Sequence, residues 1–235
     1  MDSHTPDDVV LVAGGTGALG RAVSLAFLAA GARVAVTYRK RDEFAALEAS
    51  AGPGRGRLEG HAADVSDEAA AKALVAAVRA RHGRLDALVN TVGGFAGMRT
   101  LWEEDAGALD RMLALNLRPG WALARAAVPV MLAQGRGAIV NVAAQAALAP
   151  PAGLAAYAAS KSAAVAMLAS LAAELKGTGV RVNTILPSII DTEANRRSMP
   201  DADFSTWSKP GEIARVVLFL CSDDARLVHG AGIPV

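Results

Sequence analysis

Tyr157 and Lys161 stand four residues apart in the run YAASK, and together they could move a proton. In a helix this spacing places the phenol and the ammonium on one face, one turn apart. A nearby ammonium favours the phenolate, which lowers the tyrosine pKa from about 10 and makes the phenol a usable proton donor near neutral pH. The alternative is a packed tyrosine beside a surface lysine. The motifs elsewhere in the chain favour the catalytic interpretation.

A glycine-rich segment follows the first apolar run of the chain and precedes a predicted helix. Glycine lets a backbone turn tightly and approach a pyrophosphate, which then lies at the positive N-terminus of the helix. A purely structural turn is the alternative, but the position between a strand and a helix is the one that a dinucleotide site requires. The predicted cofactor-binding residues here are Gly14, Gly15, Thr16, Gly17, Ala18, Leu19 and Gly20.

The segment after the second predicted strand is basic. Tyr38 is followed by Arg39, Lys40 and Arg41, and no acid occurs before Asp42. Dinucleotide folds that bind NAD usually place an acid here for the ribose hydroxyls, whereas an arginine can accept a 2′-phosphate. A solvated basic turn is the alternative. We therefore predict NADP as the cofactor, with NADPH preferred over NADH and Arg39 as the selecting residue.

Short apolar runs and alanine-rich helical stretches alternate along the chain. Runs with few charges suit strands that are buried on both faces of a parallel sheet. The predicted strands are Val9–Ala13, Arg33–Thr37, Arg57–His61, Ala87–Asn90, Ala138–Val142 and Arg181–Leu186, and the predicted helices are Leu19–Ala30, Asp67–Arg81, Ala106–Gln134 and Leu154–Lys176. Ser66-Asp67-Glu68 suits an N-terminal cap, and Gly31, Gly83, Gly135 and Gly177 suit C-terminal caps. The alternation predicts an α/β fold with a doubly wound parallel sheet, as one domain over residues 1–235.

The segment 191–208 departs from this alternation, because it is polar, irregular and rich in turn-forming residues. An insertion of this kind near the carboxyl ends of strands is typical of a substrate lid. Phe204 and Trp207 could contact a flat substrate or anchor the lid. The pair Arg196-Arg197 is more typical of a solvated turn than of an anion clamp.

Composition excludes several classes of protein. The chain has 235 residues, a net charge of +1 and one cysteine, which argues against a disulfide scaffold, a multi-cysteine metal site and a nucleic-acid partner. Met1–Asp8 lacks the features of a secretory signal, and polar residues and prolines interrupt the longest uncharged stretch, Gly137–Ser160, so no membrane span is expected. We predict a cytoplasmic protein that binds no metal, with Cys221 as a buried structural thiol.

Taken together, these motifs resemble the short-chain dehydrogenase/reductase family over essentially the whole chain. The resemblance implies a Rossmann-like three-layer α/β/α domain that binds a nicotinamide cofactor. It implies that Tyr157 is the acid/base, that Lys161 holds the nicotinamide ribose, and that Asn116 supports a water in a proton relay. The other positions that it assigns to cofactor binding are Asp64, Val65, Asn90, Gly93, Pro187, Ile190 and Thr192.

The chain departs from the family pattern at the residue that normally orients the substrate carbonyl. The serine expected 13 residues before Tyr157 is Ala144, and either Gln145 or Thr91 could substitute for it. Dihydropteridine reductases of this family also lack the serine, and the chain resembles them in its glycine loop, in Gly93–Gly97 and in Asp191–Trp207. Arg39 and the retained Asn116 instead match ordinary NADP-dependent ketone reductases.

Three functions therefore stay open. The first is a reductase that transfers hydride from NAD(P)H to a C=O or C=N group, including a dihydropteridine-type reductase, with Tyr157 as proton donor. The second is a ketone or 3-oxoacyl reductase of the same family. The third is a catalytically silent dinucleotide-binding sensor or scaffold. The alanine-rich helical faces and the family resemblance predict a homodimer or homotetramer that acts on a small-molecule substrate.

Overall fold

The computed structural model describes residues 7–235. Most of the segment Met1–Asp8, in which we predict no secretory signal, lies outside these residues. Within them, the chain alternates strands and helices from β1 to the C-terminal strand, as the apolar runs predict.

In the part of the chain that the structure describes, seven parallel strands form one sheet in the order β3-β2-β1-β4-β5-β6-β7. The strands are β1 (Val9–Ala13), β2 (Arg33–Tyr38), β3 (Leu58–Ala62), β4 (Ala87–Asn90), β5 (Gly137–Val142), β6 (Val180–Leu186) and β7 (Gly232–Pro234). Every residue of β1 and β4 is buried, which explains why their sequences are continuous apolar runs rather than alternating ones. The six predicted strands are confirmed within one or two residues. Sequence reasoning missed β7, a three-residue edge strand that contains glycine and proline.

Within residues 7–235, eight α-helices connect the strands. They are α1 (Ala18–Ala29), α2 (Arg41–Ser50), α3 (Glu68–His82), α4 (Ala108–Asn116), α5 (Arg118–Gln134), α6 (Ala155–Glu174), α7 (Glu193–Ser198) and α8 (Pro210–Cys221). The single helix predicted over Ala106–Gln134 is wrong: it is broken at Leu117 into α4 and α5. Pro119 explains the break, because it has no N–H to donate to the carbonyl of Leu115 and its ring disfavours helical backbone just before it.

The helices cover both faces of the sheet and so bury two cores. On one face, α3, α5 and α6 contribute Leu74, Leu123 and Leu168 to one cluster. On the other, α1, α2 and α8 contribute residues such as Phe27 and Ile213 to a second cluster. The structure therefore confirms a three-layer α/β/α fold. Sequence reasoning missed α2, whose two buried residues, Phe44 and Leu47, lie in an otherwise polar stretch.

The two ends of α3 follow the predicted capping chemistry, whereas the C-caps of α1 and α6 are Ala30 and Leu175, just before the predicted Gly31 and Gly177. The Asp67 carboxylate accepts a hydrogen bond of 2.7 Å from Ala70 N at the start of α3, and Gly83 ends that helix in the left-handed conformation with φ of +78°. Both ends of α3 are thereby fixed, including the turn that carries the chain from β3 into the helix.

The helix α6 is the one described helix that is long and apolar enough to cross a membrane by length and composition. Core helices of soluble proteins pass the same test, and α6 contributes Leu168 and Ala172 to the core against the sheet. This helix is therefore weak evidence for a membrane span.

Candidate active site

The parallel strands bring the predicted site residues to one edge of the sheet. The order β2-β1-β4 places the carboxyl ends of β1 and β4 side by side at the point where the strand order reverses, which is where dinucleotide folds bind their ligands. The glycine segment follows β1, Arg39 follows β2, Asp64 follows β3, and Gly93 follows β4. Residues 187–192 follow β6 at the same edge.

Tyr157 and Lys161 lie on one face of the first two turns of α6. The Lys161 Nζ lies 5.9 Å from the centroid of the Tyr157 ring and donates a hydrogen bond of 3.4 Å to Val142 O, at the end of β5. Lys161 is only 5% exposed, an unusual environment for an ammonium. The spacing thus produces the predicted juxtaposition.

The pKa of Tyr157 does not shift in the predicted direction. Burial raises the pKa of the Tyr157 phenol, and burial also lowers the pKa of Lys161 to about 8. Desolvation disfavours both charged forms, and it is the cause of both shifts. The prediction that Lys161 lowers the Tyr157 pKa is therefore wrong for these two side chains alone.

Asn116 ends α4 and reaches toward α6. Its Oδ1 accepts a hydrogen bond of 2.9 Å from Gly94 N, and its Nδ2 donates one of 3.0 Å to Ser160 Oγ. The Ser160 hydroxyl in turn donates to Tyr157 O at 2.7 Å. A Cβ added to Gly93 would lie 2.9 Å from Asn116 Oδ1 and 3.0 Å from Lys161 Nζ, so these polar atoms converge beneath Gly93.

Ser160 was not singled out from the sequence, although it lies inside the YAASK run. It is fully buried and joins Asn116 to the backbone of the tyrosine. The pairing spans 44 residues, so only the tertiary structure reveals it. The arrangement fixes the end of α4 against the helix that carries Tyr157 and Lys161.

The position of the missing serine is occupied by a buried methyl group, that of Ala144. Neither predicted substitute bonds toward Tyr157. The Thr91 hydroxyl donates to Ala13 O at 2.8 Å and to Gly14 O at 3.2 Å, beneath the glycine segment. The Gln145 amide donates to Val235 O at 3.5 Å. The side chains of Thr91 and Gln145 are therefore bonded elsewhere, and neither replaces the missing serine beside the Tyr157 phenol.

The glycine segment forms a tight cradle in front of α1. Gly14 adopts φ of +75° and donates to Thr37 Oγ1 at 2.8 Å, while a Cβ on Gly20 would lie 2.1 Å from Gly14 O. The helix begins after Gly17 without a side-chain cap, so its first N–H groups stay available to an anion. These features fit the diphosphate of a dinucleotide. The Leu19 side chain points into the core, which leaves only its backbone for such contact.

The adenosine end of the predicted site is charged. Two hydrogen bonds from Ser66, from Oγ and from N, lower the pKa of Asp64, and the nearby Arg39 guanidinium lowers it further. Arg39 is itself exposed. Thr16 Oγ1 donates to Glu43 Oε2 at 3.2 Å, so an acid from α2 lies beside the glycine segment. Sequence reasoning missed Glu43 because it missed α2.

Two predicted cofactor residues serve the sheet itself. Asn90 is buried, and its Nδ2 donates to Asn141 Oδ1 at 2.7 Å, which joins β4 to β5. Val65 packs in the core cluster under α3 and α5. Both side chains thus stabilise the sheet and its core next to the carboxyl edge. Contact between them and a cofactor stays a prediction.

The segment 191–208 folds back on itself beside this edge. Ile190 and Ser208 form a bridge at its base, Pro187 O accepts from Gln145 N at 3.0 Å, and Thr192 Oγ1 caps α7 by accepting from Asn195 N at 3.1 Å. Trp207 is buried against Phe204, with ring centroids 4.7 Å apart. Trp207 therefore anchors the segment.

Among residues 7–235, no group of three or more histidine, cysteine, aspartate or glutamate side chains is arranged to hold a metal ion. Burial raises the pKa of the Cys221 thiol to about 12, which makes it unreactive as a nucleophile.

Comparison with known proteins assigns the family. A family model described as short chain dehydrogenase matches residues 8–203. D-threitol dehydrogenase from Mycolicibacterium smegmatis is 37% identical, over 100% of this chain and 94% of the relative. The 3-oxoacyl-[acyl-carrier-protein] reductase of Thermotoga maritima is 31% identical, over 94% of this chain and 93% of the relative.

Solved structures agree with this assignment. A short-chain type dehydrogenase/reductase from Mycobacterium ulcerans superposes with a TM-score of 0.92 at 28% identity, covering 97% of this chain and 88% of that one. The chain therefore belongs to the short-chain dehydrogenase/reductase family and is an oxidoreductase.

Proposed function

We propose that the protein is an NADPH-preferring reductase that converts a small-molecule ketone, or a related C=O or C=N compound, to its reduced product. The observation that carries this proposal is the convergence of Tyr157, Lys161 and Asn116 at the carboxyl edge of the sheet, beside a glycine cradle that fits a diphosphate. When bound, the nicotinamide supplies the hydride.

The chain's own residues supply the proton. The Tyr157 hydroxyl donates this proton to the substrate oxygen or nitrogen. Burial raises the pKa of the phenol, so the phenol stays protonated until negative charge develops on the substrate. Lys161 holds the nicotinamide ribose. Asn116, clamped by Ser160, orients the water through which the proton is replaced.

The preference for NADPH rests on Arg39. Its exposed guanidinium lies near Asp64 and within the end of the site that receives the adenosine ribose, where it can pair with a 2′-phosphate. Gly14–Gly20, Gly93, Pro187, Ile190 and Thr192 complete the proposed cofactor contacts. Glu43 opposes the preference, because its carboxylate lies beside the same glycine segment.

The substrate class has two candidates. The names of the relatives concern a sugar alcohol and a 3-oxoacyl thioester, which favours an alcohol–ketone pair. A dihydropterin is favoured by the absence of the serine at Ala144 and by the likeness of Asn195–Trp207 to dihydropteridine reductases. A quinonoid substrate reduced at C=N needs no serine to polarise a carbonyl.

A substrate screen with both NADH and NADPH tests the proposal directly. We expect oxidation of NADPH with a ketone, a 3-oxoacyl thioester or quinonoid dihydropterin. If no compound of these classes is turned over while the cofactor binds, a silent sensor or scaffold becomes the better account.

We propose further that the protein is a cytoplasmic homodimer or homotetramer. The solvent side of α4 and α5 exposes Leu109, Trp121 and Leu132, apolar surface that a second copy could cover. Sedimentation velocity tests this assembly, and a monomer at micromolar concentration would contradict it.

A further inference from the structure

Phe95 is an exposed aromatic side chain set against the Tyr157 phenol. Its ring centroid lies 5.1 Å from that of Tyr157, with the planes at 71°, in an edge-to-face arrangement. Phe95 is nevertheless 59% exposed, so its ring contacts the proposed proton donor on one side while most of it faces outward. A large apolar surface left open beside a catalytic group is typical of a ligand contact.

The backbone fixes this position of the ring. Gly94 N donates to Asn116 Oδ1, and Met98 N donates to Gly153 O at 2.7 Å, just before α6. A Cβ on Gly97 would lie 2.6 Å from a methyl of Leu154, so this segment runs in close contact with the approach to α6. Residues 94–98 are therefore held by the same elements that position Tyr157.

Two further apolar side chains follow β5 at the same carboxyl edge of the sheet. Ala144 presents a methyl group where a hydroxyl was expected, and Leu148, in the turn that follows it, is exposed. Both segments leave the sheet at the carboxyl edge, on the β5 side of the site. The exposed Gln145 is the polar side chain in this turn, its amide donates to Val235 O, and the remaining side chains of the turn are apolar.

The arginines of segment 191–208 are already neutralised. Arg196 pairs with Asp191 through hydrogen bonds of 2.6 and 2.8 Å and lies 4.7 Å from the Phe204 ring centroid. Arg197 pairs with Glu193 in α7. Breaking these pairs to bind an acidic substrate would sacrifice existing interactions, which disfavours an anionic substrate group here.

From these observations we infer that Phe95 is a wall of the substrate site and that the substrate is an uncharged carbonyl compound bearing a flat apolar ring. The ring of the substrate packs on the open face of Phe95 and places the carbonyl oxygen at the Tyr157 hydroxyl. This inference rests on the proposed reductase function and specifies its substrate class.

Three methyl ketones separate the possibilities. Butan-2-one and 4-phenylbutan-2-one differ by one phenyl group, and 4-oxopentanoate carries a carboxylate instead. We expect kcat/KM to be about tenfold higher for the phenyl ketone, in line with one aromatic packing contact and its buried area. Phe95→Ala should remove this advantage, so that the ratio of kcat/KM for the phenyl ketone to kcat/KM for butan-2-one falls to about one, whatever the variant does to butan-2-one turnover itself.

Matched variants and a binding measurement complete the test. Phe95→Tyr keeps the ring and should keep the preference, and Phe219→Ala, at an exposed phenylalanine of α8, should change nothing. Saturation-transfer NMR with 4-phenylbutan-2-ol and cofactor-loaded protein should show contact with the phenyl protons that Phe95→Ala loses.

Two results would overturn the inference. Equal kcat/KM for the phenyl ketone and butan-2-one, unchanged by Phe95→Ala, would show that Phe95 touches no substrate. A preference for 4-oxopentanoate would show that the site selects an acid. Failure of the wild-type protein to reduce any of the three would count against the proposed function, and the NMR contact would then still decide whether Phe95 binds a ring.

Discussion

The two edges of the parallel sheet are built in opposite ways. At the amino edge, Asp86 lies before β4, accepts from Val9 N at 2.9 Å and pairs with Arg84 at 2.6 Å, while Arg136 lies 3.7 Å away. Arg84 and Arg136 also approach Asp8, at 3.9 and 3.7 Å. Opposite charges at this edge face one another and tie together the starts of β1, β4 and β5.

The carboxyl edge of the sheet instead has side chains that are free to contact a cofactor or a substrate. Burial lowers the pKa of Lys161 and raises that of Tyr157, Arg39 is exposed, and Phe95 shows most of its ring to solvent. An amino edge made of paired charges contributes stability, whereas a carboxyl edge with a buried ammonium and exposed side chains contributes binding and chemistry at some cost in stability. Substitutions at the two edges should therefore separate activity from stability.

Removal of the Tyr157 hydroxyl should have the largest effect. In Tyr157→Phe we expect kcat to fall by about a thousandfold, because a positioned general acid contributes about 10² to 10⁴ in rate. The midpoint of thermal unfolding should stay within a few degrees of the wild type, and NADPH should still bind by fluorescence titration. Comparable turnover by this variant would exclude Tyr157 as the proton donor.

Asp86→Ala should produce the reverse pattern. It leaves Val9 N and Arg84 without their buried acceptor, so the free energy of unfolding should fall by about 3 kcal/mol. Urea titration measures this change. The control, Asp86→Asn, keeps an acceptor for Val9 N and should lose less. Because this residue is far from the site, kcat per folded molecule should not change, and a parallel loss of activity would contradict the separation of the two edges.

Lys161 should reduce stability at neutral pH. Its folded pKa of about 8 lies below the value of 10.5 for a free lysine, so the unfolded chain binds the proton more tightly. The penalty is fully present below about pH 8 and is relieved as the pH rises toward 10.5. Lys161→Met should therefore raise the free energy of unfolding by about 2 kcal/mol at pH 7, with the gain shrinking above pH 8.

Denaturant titrations of both proteins at pH 7 and pH 10 measure this difference. The same variant should lose activity, because Lys161 no longer holds the ribose. A constant difference in stability across that pH range would show that Lys161 carries no buried charge.

Local sequence predicts what depends on neighbours along the chain. The wholly apolar β1 and the four-residue spacing of Tyr157 and Lys161 require no knowledge of the rest of the fold, and both predictions agree with the structure. The bond between Asn116 and Ser160 joins helices that are distant in sequence, and a pattern search cannot find it.

Other features could not be predicted because they depend on burial or on elements with weak patterns. The pKa of Tyr157 rises because of desolvation, which only the packed structure defines. Glu43 reaches the glycine segment from α2, a helix with only two buried residues and hence little apolar periodicity. The break at Leu117 was signalled by Pro119, but the apolar periodicity around it favoured one continuous helix.

Arg39→Ala should weaken cofactor selection at the carboxyl edge. We expect the dissociation constant of NADPH to rise about tenfold while that of NADH changes little, because a single charge-assisted pair with a 2′-phosphate is lost. Glu43→Gln is the matched variant and should shift the ratio in the other direction, since it removes a negative charge near Thr16. Equal effects of Arg39→Ala on both cofactors would exclude Arg39 as the selecting residue.

Ala144→Ser should have the smallest effect on kcat/KM, and whether kcat/KM rises or falls is informative about the substrate. The added hydroxyl would stand where this family usually orients a carbonyl, and one hydrogen bond to a developing oxyanion contributes about 1 kcal/mol, or about fivefold in rate. A rise of that size in kcat/KM for ketones, measured with NADPH at saturation, would indicate that the carboxyl edge is one donor short of an ordinary ketone reductase. A fall would instead indicate that the Ala144 methyl packs against the substrate, as the apolar surroundings of Phe95 predict for a ring-bearing compound. Either result distinguishes a site that lacks a polar group from one that is apolar because of what it binds.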